Sequence, residues 1–454
     1  MRVCGVYFVF VILLSACTNG VSHLDIALQQ AKHNKAELEK VLKHFKHDSL
    51  KYRAACFLIE NMPGKYSILP YDSLDRYKNF LKIIPQNDPI SWDVRYSKIW
   101  HGFDSISKRQ LAGFSKIEDI KVITGDYLIK NIEYAFKIWE NGKIKDYCSF
   151  DEFCHYILPY RIDHEPLSNW REEGFQKFGH LLDSLMSPRE LALRIIKLGG
   201  MRYNIGMTKY PYKQSYAEML QTRWGTCDDM AAFLALSLRA IGIPASIDYV
   251  PAWANRSSSH CWNVVKDATG DFIEVGYGPE GKNEVVYKIS KIYRKKYDIP
   301  LCDVTSEYAM PLSDLTFRVP SQKDKQLISL CTFNNHDWVP VALSKVMNGS
   351  VLFESVGRGI LWGDNQIRTY LNEGKGIVFL AFISQNGRLN NKPIGFPIIL
   401  LEDGTIKELC ASTEKESIIL YRKYPYYGSN NAIIHDSNET QVSDLDFKPF
   451  EHTL

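Results

Sequence analysis

The chain has 454 residues, 45% of them hydrophobic and 24% charged, with a formal net charge of +3. That length exceeds what one hydrophobic core accommodates, so two or three folded units are expected, and the composition excludes a disordered chain or a membrane bundle. The small charge, with no dense Lys/Arg stripe, excludes nucleic acid as an expected partner.

At the N-terminus Arg2 precedes an apolar run from Val3 to Leu14, too short to span a bilayer and patterned as a signal peptide. Leu14-Ser15-Ala16-Cys17 follows and resembles a lipobox, in which small residues precede the cut and the cysteine thiol receives the lipid. The expectation is a signal peptide over 1–16 and a lipoprotein anchored in the cell envelope through Cys17, facing the periplasm or the cell surface. Setting aside Cys4 and Cys17, eight cysteines remain: Cys56, Cys148, Cys154, Cys227, Cys261, Cys302, Cys331 and Cys410. None forms a C-x-x-C metal pair, and most read as small buried hydrophobes. Cys148 and Cys154 are the closest in sequence, although connectivity does not follow from spacing.

From about residue 22 to 198 the periodicity is helical. Asn34 with Glu37, Ser149 with Glu152, and Ser187-Pro188 with Glu190 each have the spacing of a capping box before an apolar stripe, and Gly199-Gly200 supplies a stop. Between 200 and 300 one strongly apolar helix precedes alternating runs. Beyond Asp303 strands dominate: 327–333, 339–343, 351–354, 377–383, 397–401 and 418–421, with Asn386-Gly387 and Asp403-Gly404 as turn signals. The expected fold class is α+β: a helical N-terminal region over 17–186, a core over 187–302, and a β-sandwich with a C-terminal tail over 303–454.

The chemistry concentrates in Arg223-Trp224-Gly225-Thr226-Cys227-Asp228-Asp229, which opens a helix apolar over most of its circumference. A cysteine there meets free N–H groups and the positive end of the helix dipole, which favour thiolate over thiol. About thirty residues later Ser259-His260-Cys261-Trp262-Asn263 begins a strand-like run. A histidine on a strand can meet a helix N-terminal cysteine across a helix-on-sheet contact, supplying nucleophile and proton shuttle. Strand alternation sends Cys261 to the face opposite His260, into packing, so it is expected to be inert.

These motifs, with Leu238-Arg239-Ala240-Ile241-Gly242-Ile243-Pro244-Ala245 between them, resemble the transglutaminase-like superfamily over roughly residues 190 to 290. The resemblance implies a papain-like core with Cys227 as nucleophile, His260 as general base and acid, and acyl chemistry on amides. The runs Tyr156 to Arg161, Trp170-Arg171, Asp303 to Tyr308 and Leu420 to Pro425 are similar to exported transglutaminase-domain lipoproteins of gut Bacteroidetes. In the family an Asp on the next strand orients the histidine, and here Gly276 stands in its place. Glu274, two residues back on the same face, is the expected substitute. The Cys227 N–H is expected to form half of an oxyanion hole, with Gln221 or Trp224 as the side-chain donor. Trp262 and Trp253 are expected to wall the substrate groove.

The expected function is a lipid-anchored cysteine acyl-transfer enzyme, a peptidase or amidase rather than a cross-linker, acting on peptide or protein amides. No cofactor is expected, since no metal or nucleotide motif occurs. The alternative is a catalytically weak or inactive surface lipoprotein that binds peptide or glycan. If Cys17 carries the anchor, Cys17→Ser releases the protein from membranes or blocks its maturation, read by fractionation and by mass; unchanged fractionation with no bound lipid contradicts it.

Overall fold

Three helices, α1 (His23–Gln30), α2 (Lys35–Phe45) and α3 (Ser49–Glu60), begin the computed structural model. It describes residues 22–68, 116–203 apart from 142, 213–299 apart from 255–257, 279–280 and 282–286, 301–409 apart from 320–324, 335–336, 361–375 and 386–387, and the strands 418–420 and 450–452. Cys17, Cys410, the Asn386-Gly387 turn and nearly all of the C-terminal tail lie outside the described residues.

A short ribbon of β1 (Tyr66–Ile68) and β2 (Lys116–Glu118) interrupts the helical region, followed by α4 (Gly125–Asn141) and α5 (Phe150–Tyr156). The helices share one core around Leu38, Leu58, Phe136, Phe153 and Tyr160. The capping boxes at Ser149/Glu152 and Ser187/Glu190 form as read. The one at Asn34 does not. Asn34 is buried, and its amide donates to the carbonyls of Ile120 at 3.2 Å and Ile123 at 2.9 Å, while Glu37 accepts from the Gly125 N–H at 2.6 Å. Both cap residues tie α2 to a distant turn, because a buried backbone group without a partner costs more than an open cap.

Next come α6 (Trp170–Phe178), α7 (Pro188–Gly199), β3 (Arg202–Tyr203), α8 (Tyr216–Thr222), β4 (Trp224–Gly225) and the central helix α9 (Cys227–Ala240). From Asp229 to Ala240 every residue of α9 is buried, as its all-round apolar character requires. Gly242, at φ +85°, turns the chain where a Cβ would lie 2.1 Å from Ile138.

The sheet beneath α9 is antiparallel, in the order β10 (Cys302–Asp303), β9 (Tyr293–Arg294), β5 (Ala245–Val250), β6 (His260–Lys266), β7 (Phe272–Val275). Its two faces are both covered. Ile247, Cys261, Val265 and Val275 pack toward α9, whereas Val250, Trp262 and Val264 pack with Trp253, Ile289 and Ile292 behind the sheet. Double burial explains why β6 reads as a nearly continuous apolar run.

On the rear face Asp248 is fully buried and accepts from Arg294 at 2.8 and 2.9 Å and from the Tyr308 hydroxyl at 2.6 Å. Tyr308 in turn accepts from the Trp262 indole at 2.8 Å. A buried bidentate pair of this kind fixes strand register, and removing one partner strands the other charge.

Beyond residue 311, β11 (Leu312–Arg318) pairs with β14 (Ser350–Gly357). A larger sheet runs β13 (Asp337–Lys345), β12 (Leu327–Asn334), β16 (Gly376–Gln385), β18 (Ile398–Leu401), β19 (Ile406–Glu408). The two share a core around Leu315, Leu330, Val351, Phe353, Phe379 and Leu400. The Asp403-Gly404 turn forms as expected, with Gly404 at φ +91° and Asp403 accepting from the Thr405 N–H at 2.8 Å.

Arg294→Met is expected to cost about 3–5 kcal/mol of stability by denaturant titration, because Asp248 is left charged and buried. A loss near that of an exposed ion pair, roughly 1 kcal/mol or less, contradicts the account.

Candidate active site

Thr226 caps α9. Its hydroxyl accepts from the Asp229 N–H, and the Asp229 carboxylate accepts from the Thr226 N–H at 2.9 Å and its hydroxyl at 3.0 Å. Gly225 precedes the cap because Asp229 folds back over it: a Cβ on Gly225 would lie 2.5 Å from that of Asp229. The box uses the Thr226 and Asp229 N–H groups and leaves the Cys227 and Asp228 N–H groups outside it. Cys227 therefore sits in the first turn of α9, half-buried, with the helix dipole and the N–H groups outside the capping box behind its thiol.

His260 and Cys261 begin β6 on opposite faces, and both reach the Cys227 thiol. The neighbouring Cys261 side chain and the His260 ring pull Cys227 down to about 6, against burial and the Asp228 charge. The same contact with Cys227, together with burial, pushes Cys261 well up. By contrast burial raises the thiols of Cys148 and Cys154 to about 12, and both are free rather than bridged. Thiolate character thus belongs to the helix N-terminus and not to the cysteines of the helical core.

Cys261 packs on the face opposite His260, as strand alternation leads one to expect, and the contact with Cys227 and burial push its thiol well up. That face is the one under α9, where Cys261 is buried beside Cys227 and donates to Asp228 Oδ1 at 3.4 Å. Asp228 also pairs with Lys213 at 3.2 Å.

Glu274 does not take the place of the missing Asp. The register sets it opposite Val264, four positions from His260, about 13 Å along the strand. Glu274 and His260 do share a face, as expected, but Trp262 stands between them. The His260 ring hydrogen-bonds with the Cys227 side chain. Position 276 lies nearer the ring and is a glycine, whose N–H bonds to the Gly281 carbonyl at 2.8 Å.

Other groups hold the histidine. Trp253 stacks on the ring at 5.8 Å and 23°, and Trp262 lies behind it at 6.1 Å. Trp253 is buried against His260, and Trp262 is buried with its indole N–H given to Tyr308, so the two back the histidine rather than wall an open groove. The turn preceding His260 is braced from the C-terminal sheet. Asn334 donates to the carbonyls of Trp253 at 2.9 Å and Ser258 at 3.0 Å, and accepts from the Ser258 N–H at 3.1 Å. Ser258 is held at φ +84°. Asn263 pins the strand to the helix by donating to the Ala231 carbonyl at 2.8 Å.

Gln221 is exposed on α8. The buried glutamine nearby is Gln214, which donates to the Trp224 carbonyl at 2.7 Å and accepts from Thr222 at 2.8 Å. Trp224 is itself buried, three residues before the thiol. Sequence spacing could not separate the two glutamines, because only the fold shows which one turns inward.

Residues 180–276 match the family model described as the Transglutaminase-like superfamily, a span that contains Cys227, His260, Glu274 and Gly276. The segment bearing the Cys/His pair is transglutaminase-like. Among solved structures the chain is similar to a protein from Cytophaga hutchinsonii that is named, provisionally, a cysteine protease, with 14% identity over 43% of this chain and a TM-score of 0.20. The match spans about half, 51%, of that protein. No curated protein matches the chain.

Because thiolate is the reactive form and the Cys227 thiol is lowered, its alkylation by iodoacetamide is fully developed at neutral pH and falls away as pH drops through about 6. Gln221→Ala leaves that midpoint in place. A midpoint above 8, near the ordinary thiol range, contradicts the site.

Proposed function

We propose that this protein is a cysteine acyl-transfer enzyme of the exported cell envelope, anchored through Cys17, that cleaves peptide or side-chain amides. The observation that carries the reading is the placement of Cys227 in the first turn of α9, in contact with His260 and with its thiol drawn down to about 6. At neutral pH that thiol is a thiolate, ready to attack an amide carbonyl without prior deprotonation. The tetrahedral oxyanion forms beside the Cys227 N–H, the donor outside the capping box. His260 protonates the departing amine and then takes a proton from the water that hydrolyses the thioester.

A second reading rests on the orienting carboxylate: Gly276 stands where the family pattern has Asp, and Glu274 pairs with Val264, four positions from His260. Stacking keeps the plane of the imidazole but, without a carboxylate behind it, does not fix its tautomer, so a slow enzyme or a peptide- or glycan-binding lipoprotein is the alternative.

Turnover of a chromogenic peptide amide separates the two. Cys227→Ala is expected to abolish it and His260→Ala to lower kcat on the order of 10³-fold. Peptide binding that survives Cys227→Ala, with no turnover by the wild type, would support the binding protein.

A further inference from the structure

Cys261 is a second thiol at the nucleophile, and the acyl-transfer chemistry does not use it. It lies in the same apolar cluster as Cys227, on the face of β6 that packs under α9. Cys227 is half-buried, Cys261 is buried, and neither is bridged. The Cys261 thiol donates to the carboxylate of Asp228, the residue next to Cys227 on the helix. The two sulfurs are therefore brought together at the meeting of one strand and one helix end, one reachable from solvent and the other behind it.

We propose that Cys227 and Cys261 form a reversible disulfide on exposure to a hydroperoxide, and that this bridge switches the site off. The proposal rests on the reading of Cys227 as the reactive thiolate. Cys227 sulfur attacks the terminal oxygen of the hydroperoxide, the O–O bond breaks, and the departing alkoxide takes a proton from solvent, leaving a sulfenic acid on Cys227. Cys261 sulfur then attacks that sulfur. The S–O bond breaks, and the departing hydroxide receives the Cys261 proton by way of Asp228, leaving as water. Two thiols together lose two electrons and two protons, and the hydroperoxide is reduced to an alcohol and water. A small dithiol restores both thiols by exchange.

The order of events follows from exposure. The oxidant meets Cys227 first, because Cys261 is screened by the helix above it. Cys261 then intercepts the sulfenic acid before a second oxidant carries it to the irreversible sulfinic state. Cys148, Cys154 and Cys331 are also buried thiols, but they pack in other clusters and do not reach Cys227.

The test is a non-reducing peptide map of the full chain before and after hydrogen peroxide, with iodoacetamide labelling of Cys227 before oxidation and again after dithiothreitol. The expected result is labelling of Cys227 in the untreated protein, a crosslinked Cys227–Cys261 peptide lacking two hydrogens after peroxide, and full return of labelling with dithiothreitol. In Cys261→Ala a second equivalent of peroxide carries the Cys227 sulfenic acid to the sulfinic acid, so the loss of labelling persists after dithiothreitol. The wild-type map decides by itself if that variant does not fold. Cys227 that labels before treatment but goes to the sulfinic acid with no bridge overturns the switch and leaves the nucleophile standing. Cys227 that neither labels nor oxidises overturns both.

Discussion

The reciprocal cap between Thr226 and Asp229 is the contact on which the site depends. It ends the chain's approach to α9 at a fixed residue, so that Cys227 and not a neighbour occupies the first turn. A cap of this kind contributes about 1 kcal/mol, a small part of the stability of a chain this long. Its importance is positional. By satisfying the Thr226 and Asp229 N–H groups it leaves the intervening donors facing the thiol, and Gly225 is the residue that lets Asp229 close over the backbone. Because the remaining length of α9 is buried all round, the polar first turn cannot slide along the sheet without burying Asp228 or exposing apolar side chains.

The histidine side is held by a different kind of force. His260 lies at the end of β6, where a strand ordinarily frays, yet it is gripped from three directions. Trp253 stacks on it, the Asp248, Arg294 and Tyr308 network fixes Trp262 behind it, and Asn334 reaches from the C-terminal sheet to hold the turn before it. Three regions of the sequence that look separate thereby converge on one ring. Packing and backbone hydrogen bonds do here the orienting that a carboxylate does in the family pattern, without supplying its charge.

Much of this was legible in the residues. The Cys227 and His260 motifs, the all-round apolar helix, the caps at Ser149 and Ser187 and the strand runs from 327 to 401 depend on local periodicity and turn chemistry, which a sequence displays directly. What escaped depends on register and on which face is which. Glu274 shares the face of His260, but parity says nothing of distance along a strand, and the pairing with Val264 places it too far away. Parity sends Cys261 into packing opposite His260, as found, but does not show that this face lies under α9 beside Cys227. Asn34 has the cap spacing yet spends its amide on Ile120 and Ile123, a demand set by a turn some ninety residues away. Gln221 and Gln214 differ only in which one the fold turns inward.

The account stands or falls on whether Cys227 forms a covalent acyl intermediate. The direct measurement is an acid quench of the full chain during reaction with an activated peptide ester, followed by mass mapping of every cysteine-containing peptide. The account predicts the acyl mass on the peptide holding Cys227, as a thioester that hydroxylamine removes, and none in Cys227→Ala. Acylation at another residue, or no adduct while the ester is consumed at the same rate by Cys227→Ala, would contradict it.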